Sequence, residues 1–277
     1  ESSGNASTGN DSNAGYIAKF DTINGGTPRA VTFRGLKDVF DVEYANGWLY
    51  AMGLHNTVNE VIVLRVDTTL SGNGDDNVLI QSEWNQSFKF TNSNYSELRT
   101  EGDTKKKKFS LSVDGLDNIY ITGYTRNGTT NFYNETGTIH QTIASTAESA
   151  FVAKLDATFA YLWIKNPVRA PFPEFGSNLR LAWDGRNERL WWSGSFRGQH
   201  GVSMQDGTDS STLRTLSQDS VFQGFVAAFE ANGSFTRIVD FTLLTPYAEN
   251  RVTLNGRTFG STGATFSIIL DSPITIQ

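Results

Sequence analysis

Residues 111–125 read LSVDGLDNIYITGYT. Leu111 to Val113 is a short β-prone run, Asp114-Gly115 is a turn pair, and Ile119 to Thr125 is rich in β-branched and aromatic residues. A glycine after Asp supplies the positive φ that a tight turn demands, so the stretch predicts two antiparallel strands joined by a turn. The same unit occurs upstream as DVEYANGWLYAMG, ending at Gly53, and downstream as LAWDGRNERLWWSG, ending at Gly194. A degenerate copy, VTLNGRTFG, ends at Gly260. The closing glycines lie 70, 71 and 66 residues apart. Glycine in a strand permits close approach by a neighbour, which predicts tight packing at each of these positions.

A second unit alternates with the first and is an apolar strand ending on an acid. It reads GYIAKFD (residues 15–21), VIVLRVD (61–67), AFVAKLD (150–156), GFVAAFE (224–230) and TFSIILD (265–271). Apolar residues at helical spacing are nearly absent, so the chain is expected to be all-β. Fourth strands are expected at Val78–Trp84, Ala160–Ile164, Thr236–Phe241 and Ile274–Gln277.

Tandem sheet units on this scale point to a β-propeller of four-stranded antiparallel blades. Four to five blades are expected, with a spare N-terminal half blade made of Tyr16 to Phe20 and Ala30 to Phe33. A two-sheet sandwich is the alternative, but it does not explain why two units alternate in phase. The spare half leaves three outcomes open. It completes a five-bladed ring with a diverged stretch in residues 85–108, adds an extra sheet, or pairs with a neighbouring chain by β-augmentation.

GYIAKFD, AFVAKLD and especially NIYITGYT (Asn118 to Thr125) resemble the bacterial β-propeller repeats called SBBP repeats. The resemblance covers roughly half of the chain, best in the second round, on short apolar motifs that speak for architecture. It implies a secreted or surface-exposed protein that binds or scaffolds, and it carries no catalytic set. The long insertions after Gly123 and Gly194 and the eroded last repeat depart from the family pattern.

Residues 1–14, ESSGNASTGNDSNA, are Ser/Gly/Asn-rich and read as a flexible tether, leaving 15–277 as one propeller domain. Such an opening is expected of a mature chain after removal of a signal, outside the cell or on its surface. Seven Asn-X-Ser/Thr triplets support that placement if the source glycosylates Asn; those beyond the tether are at Asn85, Asn94, Asn127, Asn134 and Asn232, all expected in surface loops. No run approaches the roughly 20 apolar residues of a membrane helix. A net charge of −6 argues against nucleic acid, which needs a cationic surface.

The chain of 277 residues has no Cys, so thiolate chemistry, thiolate metal sites and disulfides are excluded. His55, His140 and His200 fall in expected loops with no paired ligand spacing. No hydrolase elbow, P-loop or dinucleotide fingerprint is present. No cofactor and no metal are expected. The oxygen-rich loop at Ser71–Asn77 lacks the arrangement of a calcium loop and reads as a turn. The acids near the inner hairpins are Asp41, Glu43, Asp114, Asp184 and Glu188. Asp114 and Asp184 precede glycine, where Asp bonds its own backbone, and the set does not resolve into a catalytic pair.

Candidate interaction residues are therefore Tyr16, Ile17, Lys19 and Phe20 on the spare strand, Trp191 and Trp192, and Lys105 and Lys106 in a run of four lysines. Adjacent tryptophans on a strand face opposite ways, so one is expected between blades and the other on an outer face. The insertions Arg126–Glu148 and Ser195–Gln223 are expected to be recognition loops. The leading expectation is a non-catalytic, self-assembling structural module whose partner is a protein, a second copy of the chain included. A carbohydrate-binding propeller is the alternative, and a glycan-active enzyme using Glu43 or Asp114 is the third.

Overall fold

The computed structural model describes residues 15–19, 29–33, 36–55, 60–67, 78–79, 85–92, 109–125, 128–134, 136–145, 149–169, 174–175, 179–197, 203–205, 212–215, 223–241, 252–254 and 257–259, with side chains for 36–55, 60–66, 89–91, 109–125, 128–134, 136–144, 149–166, 179–194 and 226–235. Among them there is no helix. The strands are β1 (Gly15–Lys19), β2 (Arg29–Phe33), β3 (Leu36–Ala45), β4 (Trp48–His55), β5 (Glu60–Asp67), β6 (Val78–Leu79), β7 (Asn85–Asn92), β8 (Ser110–Val113), β9 (Ile119–Thr125), β10 (Gly128–Tyr133) and β11 (Ile139–Ser145). They continue with β12 (Ser149–Leu155), β13 (Tyr161–Arg169), β14 (Glu174–Phe175), β15 (Arg180–Asp184), β16 (Arg189–Arg197), β17 (Ser203–Gln205), β18 (Thr212–Thr215), β19 (Gln223–Glu230), β20 (Phe235–Phe241), β21 (Val252–Leu254) and β22 (Arg257–Phe259).

The protein is all-β, and its sheets are antiparallel except where β2 meets β6. Sheet I runs β3-β4-β5-β7, sheet II runs β8-β9-β12-β13, and sheet III runs β15-β16-β19-β20. Each is the sequence-expected meander of hairpin, acid-ended strand and fourth strand. A short N-terminal sheet holds β1, β2 and β6, and β21 and β22 form a hairpin. Among the described residues no strand pairing joins the last sheet to the first, so a closed ring is not part of the described structure.

Two expectations are corrected. The fourth strand of sheet I is Asn85–Asn92 rather than Val78–Trp84, and Val78 and Leu79 instead pair in parallel with Thr32 and Phe33. The insertions are also not simple loops. Residues 128–145 fold into the hairpin β10–β11, which leaves sheet II after β9 and pairs with β7 at the edge of sheet I. Residues 203–215 contribute β17–β18, which leaves sheet III after β16 and pairs with β13 at the edge of sheet II. Each hairpin lengthens the preceding sheet to six strands. The physical reason is visible in Gly128–Tyr133, where Thr130 and Phe132 alternate inward and are buried. An edge that would be open to wrong pairing is thereby covered.

The sheets pack face to face. Tyr50, Met52, Val61, Val63 and Phe90 of sheet I meet Leu111, Ile119, Ile121 and Phe151 of sheet II in one buried cluster. Phe132 of the inserted hairpin stacks on Phe90 at 5.7 Å and meets Phe151 edge-on at 5.0 Å, so the insertion seals the junction it spans. A second cluster joins Tyr120, Ala150 and Val152 of sheet II to Leu181, Leu190, Trp192 and Phe229 of sheet III. The closing glycines earn their place here. A Cβ at Gly123 would lie 2.7 Å from the Phe109 ring and 2.8 Å from that of Phe151, and one at Gly53 would run into the Asp38 carbonyl oxygen where β3 bulges.

Candidate functional site

The first strands of the three sheets are stitched together by side chains. Asp41 Oδ2 on β3 accepts from the Ser110 hydroxyl at 2.6 Å and from the Leu111 N–H at 3.0 Å. The Ser110 oxygen in turn accepts from the Leu181 N–H at 3.3 Å, and Ser112 Oγ accepts from the Trp183 N–H at 3.1 Å. Arg180 Nη1 lies 3.8 Å from Asp41 Oδ2. Among the described residues β8 and β15 have a ladder partner on one side, and these bonds satisfy N–H groups of their other side from the neighbouring sheet. The partners are 69, 70 or 71 residues apart, which is the sequence repeat made physical.

Glu43 belongs to the same seam. Burial lifts its carboxyl above the ordinary carboxylate range, against the bonds from the Val113 N–H and the Ser112 hydroxyl, and Asp41 adds a smaller upward push. The folded protein therefore holds this proton more tightly than the unfolded chain. The associated stability is present below the unfolded value and is lost as pH rises through the raised folded value. Replacing Glu43 with Gln should raise the melting temperature at neutral pH, and the gap between variant and parent should shrink on acidification. Melting curves across that range check this, and a gap independent of pH would refute it.

A second cluster lies between sheets II and III. Asp114 is buried in the turn after β8, where Oδ1 accepts from the Leu116 and Asn118 N–H groups at 2.8 and 2.9 Å. Its Oδ2 accepts from Asn118 Nδ2 at 2.8 Å and from the Tyr120 hydroxyl at 3.1 Å. Lys154 Nζ is 4.0 Å from that oxygen and 5.0 Å from the centre of the Tyr120 ring, and it donates to the Ala231 carbonyl at 3.2 Å. Trp163 Nε1 donates to the same carbonyl at 3.2 Å. Trp183 stacks on Tyr120 with centroids 5.0 Å apart. Burial lowers the Lys154 pKa, against the pull of Asp114, and raises that of Tyr120.

Sheet I carries the same device in altered form. Tyr50 lies opposite Arg65 as Tyr120 lies opposite Lys154. The Tyr50 hydroxyl donates to Asp117 Oδ1 at 3.1 Å, Asn46 Nδ2 reaches the same oxygen at 2.8 Å, and the Arg65 guanidinium sits 4.7 Å above the Trp48 ring. In sheet III the corresponding pair is Trp191 and Ala228. Chemically these are clamps: each acid is held by donors from its own turn or from the adjacent sheet.

Trp192 is fully buried between sheets II and III, while Trp191 is half-buried on the opposite face. Tyr16, Ile17 and Lys19 lie on β1, where the backbone pairs with Thr32, Val31 and Arg29. Phe20, Lys105, Lys106, Asn94, Asn127, His200 and the loop 71–77 fall outside the described residues. Asn85 opens β7 opposite Arg65 and is not in a loop. Asn134 and Asn232 sit in turns, where their side-chain oxygens accept from the Thr138 and Ser234 N–H groups, each at 2.8 Å. His140 is likewise not in a loop: it lies on β11, its ring stacked on Tyr161 at 4.9 Å. His55 is the last residue of β4. Asp184 bonds the Arg186 N–H and Asn187 as its turn requires, and Glu188 takes a positive φ in the same turn.

Sequence reasoning passed over Lys154, Asp117 and Asn46, whose roles depend on a sheet some 70 residues away. The signal was the cation shared by GYIAKFD, VIVLRVD and AFVAKLD. No family model matches the chain, and no curated protein matches it.

Proposed function

We propose that this chain is a non-catalytic, propeller-like structural module of the cell surface or extracellular space, and that it assembles with copies of itself through its N-terminal strand. One observation carries the reading. The acid-ended strands β5, β12 and β19 each pair on both sides, whereas β1, which bears the same pattern, pairs among the described residues with β2 alone. An edge strand of that pattern is a template for a strand from another chain, and a head-to-tail contact that does not close on itself builds filaments. The structural use of Asp41, Glu43 and Asp114 supports a scaffold rather than a glycan-active enzyme. The triplets at Asn134 and Asn232, placed in turns, suit an extracellular glycoprotein. The carbohydrate-binding alternative rests on Trp191, since Trp183 and Trp192 pack between sheets. Kinship with SBBP-like repeats belongs to the same proposal, and completion of a ring by the spare half blade is its competing outcome.

Light scattering with negative-stain imaging of the native protein tests it. Large ordered assemblies are expected, and deleting residues 1–21 should reduce them to single chains. A protein that is monomeric at every concentration would refute the proposal.

A further inference from the structure

The two-residue turn between β3 and β4 is an Asn-Gly pair. Asn46 and Gly47 take φ of 50° and 86°, with Ala45 opposite Trp48, so both carry the positive φ of a tight hairpin. Both are exposed, and a Cβ added at Gly47 would meet nothing within 4 Å. Asn46 does more than turn the chain. Its Nδ2 donates across to sheet II, to the Asp114 carbonyl at 2.9 Å and to Asp117 Oδ1 at 2.8 Å. The Tyr50 hydroxyl donates to the same Asp117 oxygen at 3.1 Å. One side-chain amide is thus a latch between the two sheets at their turn end.

An Asn before Gly holds the most readily lost side-chain amide, because glycine has no Cβ to obstruct its own nitrogen. That nitrogen attacks the Asn Cγ, a new C–N bond forms, and the Cγ–Nδ2 bond breaks. The nitrogen leaves as ammonia, taking up the proton that the glycine nitrogen gives up. Water then opens the five-membered succinimide to aspartate or isoaspartate. At Asn46 both side-chain bonds engage the departing nitrogen rather than the attacked carbon. The closing bond of a two-residue hairpin is made by the residue after the glycine, here Trp48, which leaves the Gly47 N–H outside it. Asn232-Gly233 shows the opposite arrangement. The Gly233 N–H donates to the Glu230 carbonyl at 2.9 Å, and a Cβ on that glycine would come within 2.9 Å of the Trp163 ring.

We propose that Asn46 is a self-modification site: it loses ammonia through attack by the Gly47 nitrogen, and the acid left behind opens the latch between sheets I and II. The amide donates to two acceptors, and the carboxylate that replaces it can donate to neither. It would face the Asp114 carbonyl and the Asp117 carboxylate, beside an Arg65 that already reaches the Tyr50 hydroxyl. Like charges so placed repel. The latch is cut irreversibly, on a clock set by a first-order reaction of the chain itself.

Peptide mapping of the native protein, kept in warm, mildly alkaline buffer, tests the chemistry. Aspartate and isoaspartate are expected at position 46, forming about tenfold or more faster than at position 232. The melting temperature should fall in step with that conversion. Asn46→Asp made directly should melt below Asn46→Gly, which keeps the turn and lacks both the donor and the charge. The gap between these two variants should close on acidification. The folded protein would hold the new carboxyl's proton more tightly than the unfolded chain, so the stability is present at low pH and is lost as pH rises through the raised folded value. An Asn46 that stays an amide, whether or not Asn232 converts, would overturn the proposal. So would conversion at position 46 with no fall in melting temperature, which would show that the amide holds nothing. An Asn46→Asp protein as stable as the glycine variant at neutral pH would do the same, since no repulsion would then replace the lost bonds.

Discussion

Asp114→Ala should destabilise the protein by about 3–5 kcal/mol, the range seen when one partner of a buried, hydrogen-bonded charge cluster is removed. The alanine would strip acceptors from the Leu116 and Asn118 N–H groups, from Asn118 Nδ2 and from the Tyr120 hydroxyl. It would also leave the buried Lys154 ammonium with the Ala231 carbonyl but without its carboxylate. Because Lys154 and Trp163 both reach Ala231, the loss should loosen sheet III from sheet II as well as the turn itself. Asp114→Asn should fall between parent and alanine, since its side-chain oxygen still accepts from the two turn N–H groups. Thermal and urea unfolding measure the difference. A loss below about 1 kcal/mol, the worth of a single ordinary hydrogen bond, would mean that the cluster does not act as a clamp.

The second large effect separates two neighbours. Trp192→Ala should cost about 3–5 kcal/mol, as expected for emptying a fully buried indole site. The ring lies in the cluster shared by sheets II and III, opposite Leu181 across the strand pair and 6.2 Å from the Phe229 ring. Trp191→Ala, one residue earlier on the half-buried face, should leave the single chain much closer to the parent and act on assembly instead. Denaturation midpoints at unchanged m, read beside light scattering, resolve the two. Equal losses of stability would place both rings in the monomer core and would remove Trp191 from any interface.

Much of the architecture was legible along the chain. The hairpins at 41–53, 111–123 and 181–194 and the acid-ended strands after them stand where the alternation placed them. The turn role of Asp114 was legible too, because an Asp before Gly bonds its own backbone within four residues. The fourth strand of sheet I was misplaced by one strand length: VLIQSEW has the apolar content of a strand, whereas in NQSFKFTN only Phe88 and Phe90 are apolar, too few to mark the strand within the diverged stretch 85–108. The inserted hairpins were read as recognition loops for a similar reason. Their Thr, Asn and Gly content describes a surface, and surface strands at a sheet edge share that composition.

By itself the sequence determined the β class, the two-part repeat of about 70 residues, the turn positions and the opposite facing of Trp191 and Trp192, although in the second and third hairpins the positive φ falls on Asp117 and Glu188 rather than on Gly115 and Gly185. All of these are local: they depend on alternation, on φ at a few positions and on neighbours within one hairpin. Only the tertiary structure decided which polar residues meet across sheets, where the insertions dock and which of the described apolar residues are covered. Asp41 with Ser110, Lys154 with Ala231, and the contrast between buried Leu111 and exposed Val42 all depend on contacts between rounds. A residue's own pattern records that it is polar or apolar. What covers it is set by how successive sheets stack, and that information lies in pairs of residues some 70 positions apart.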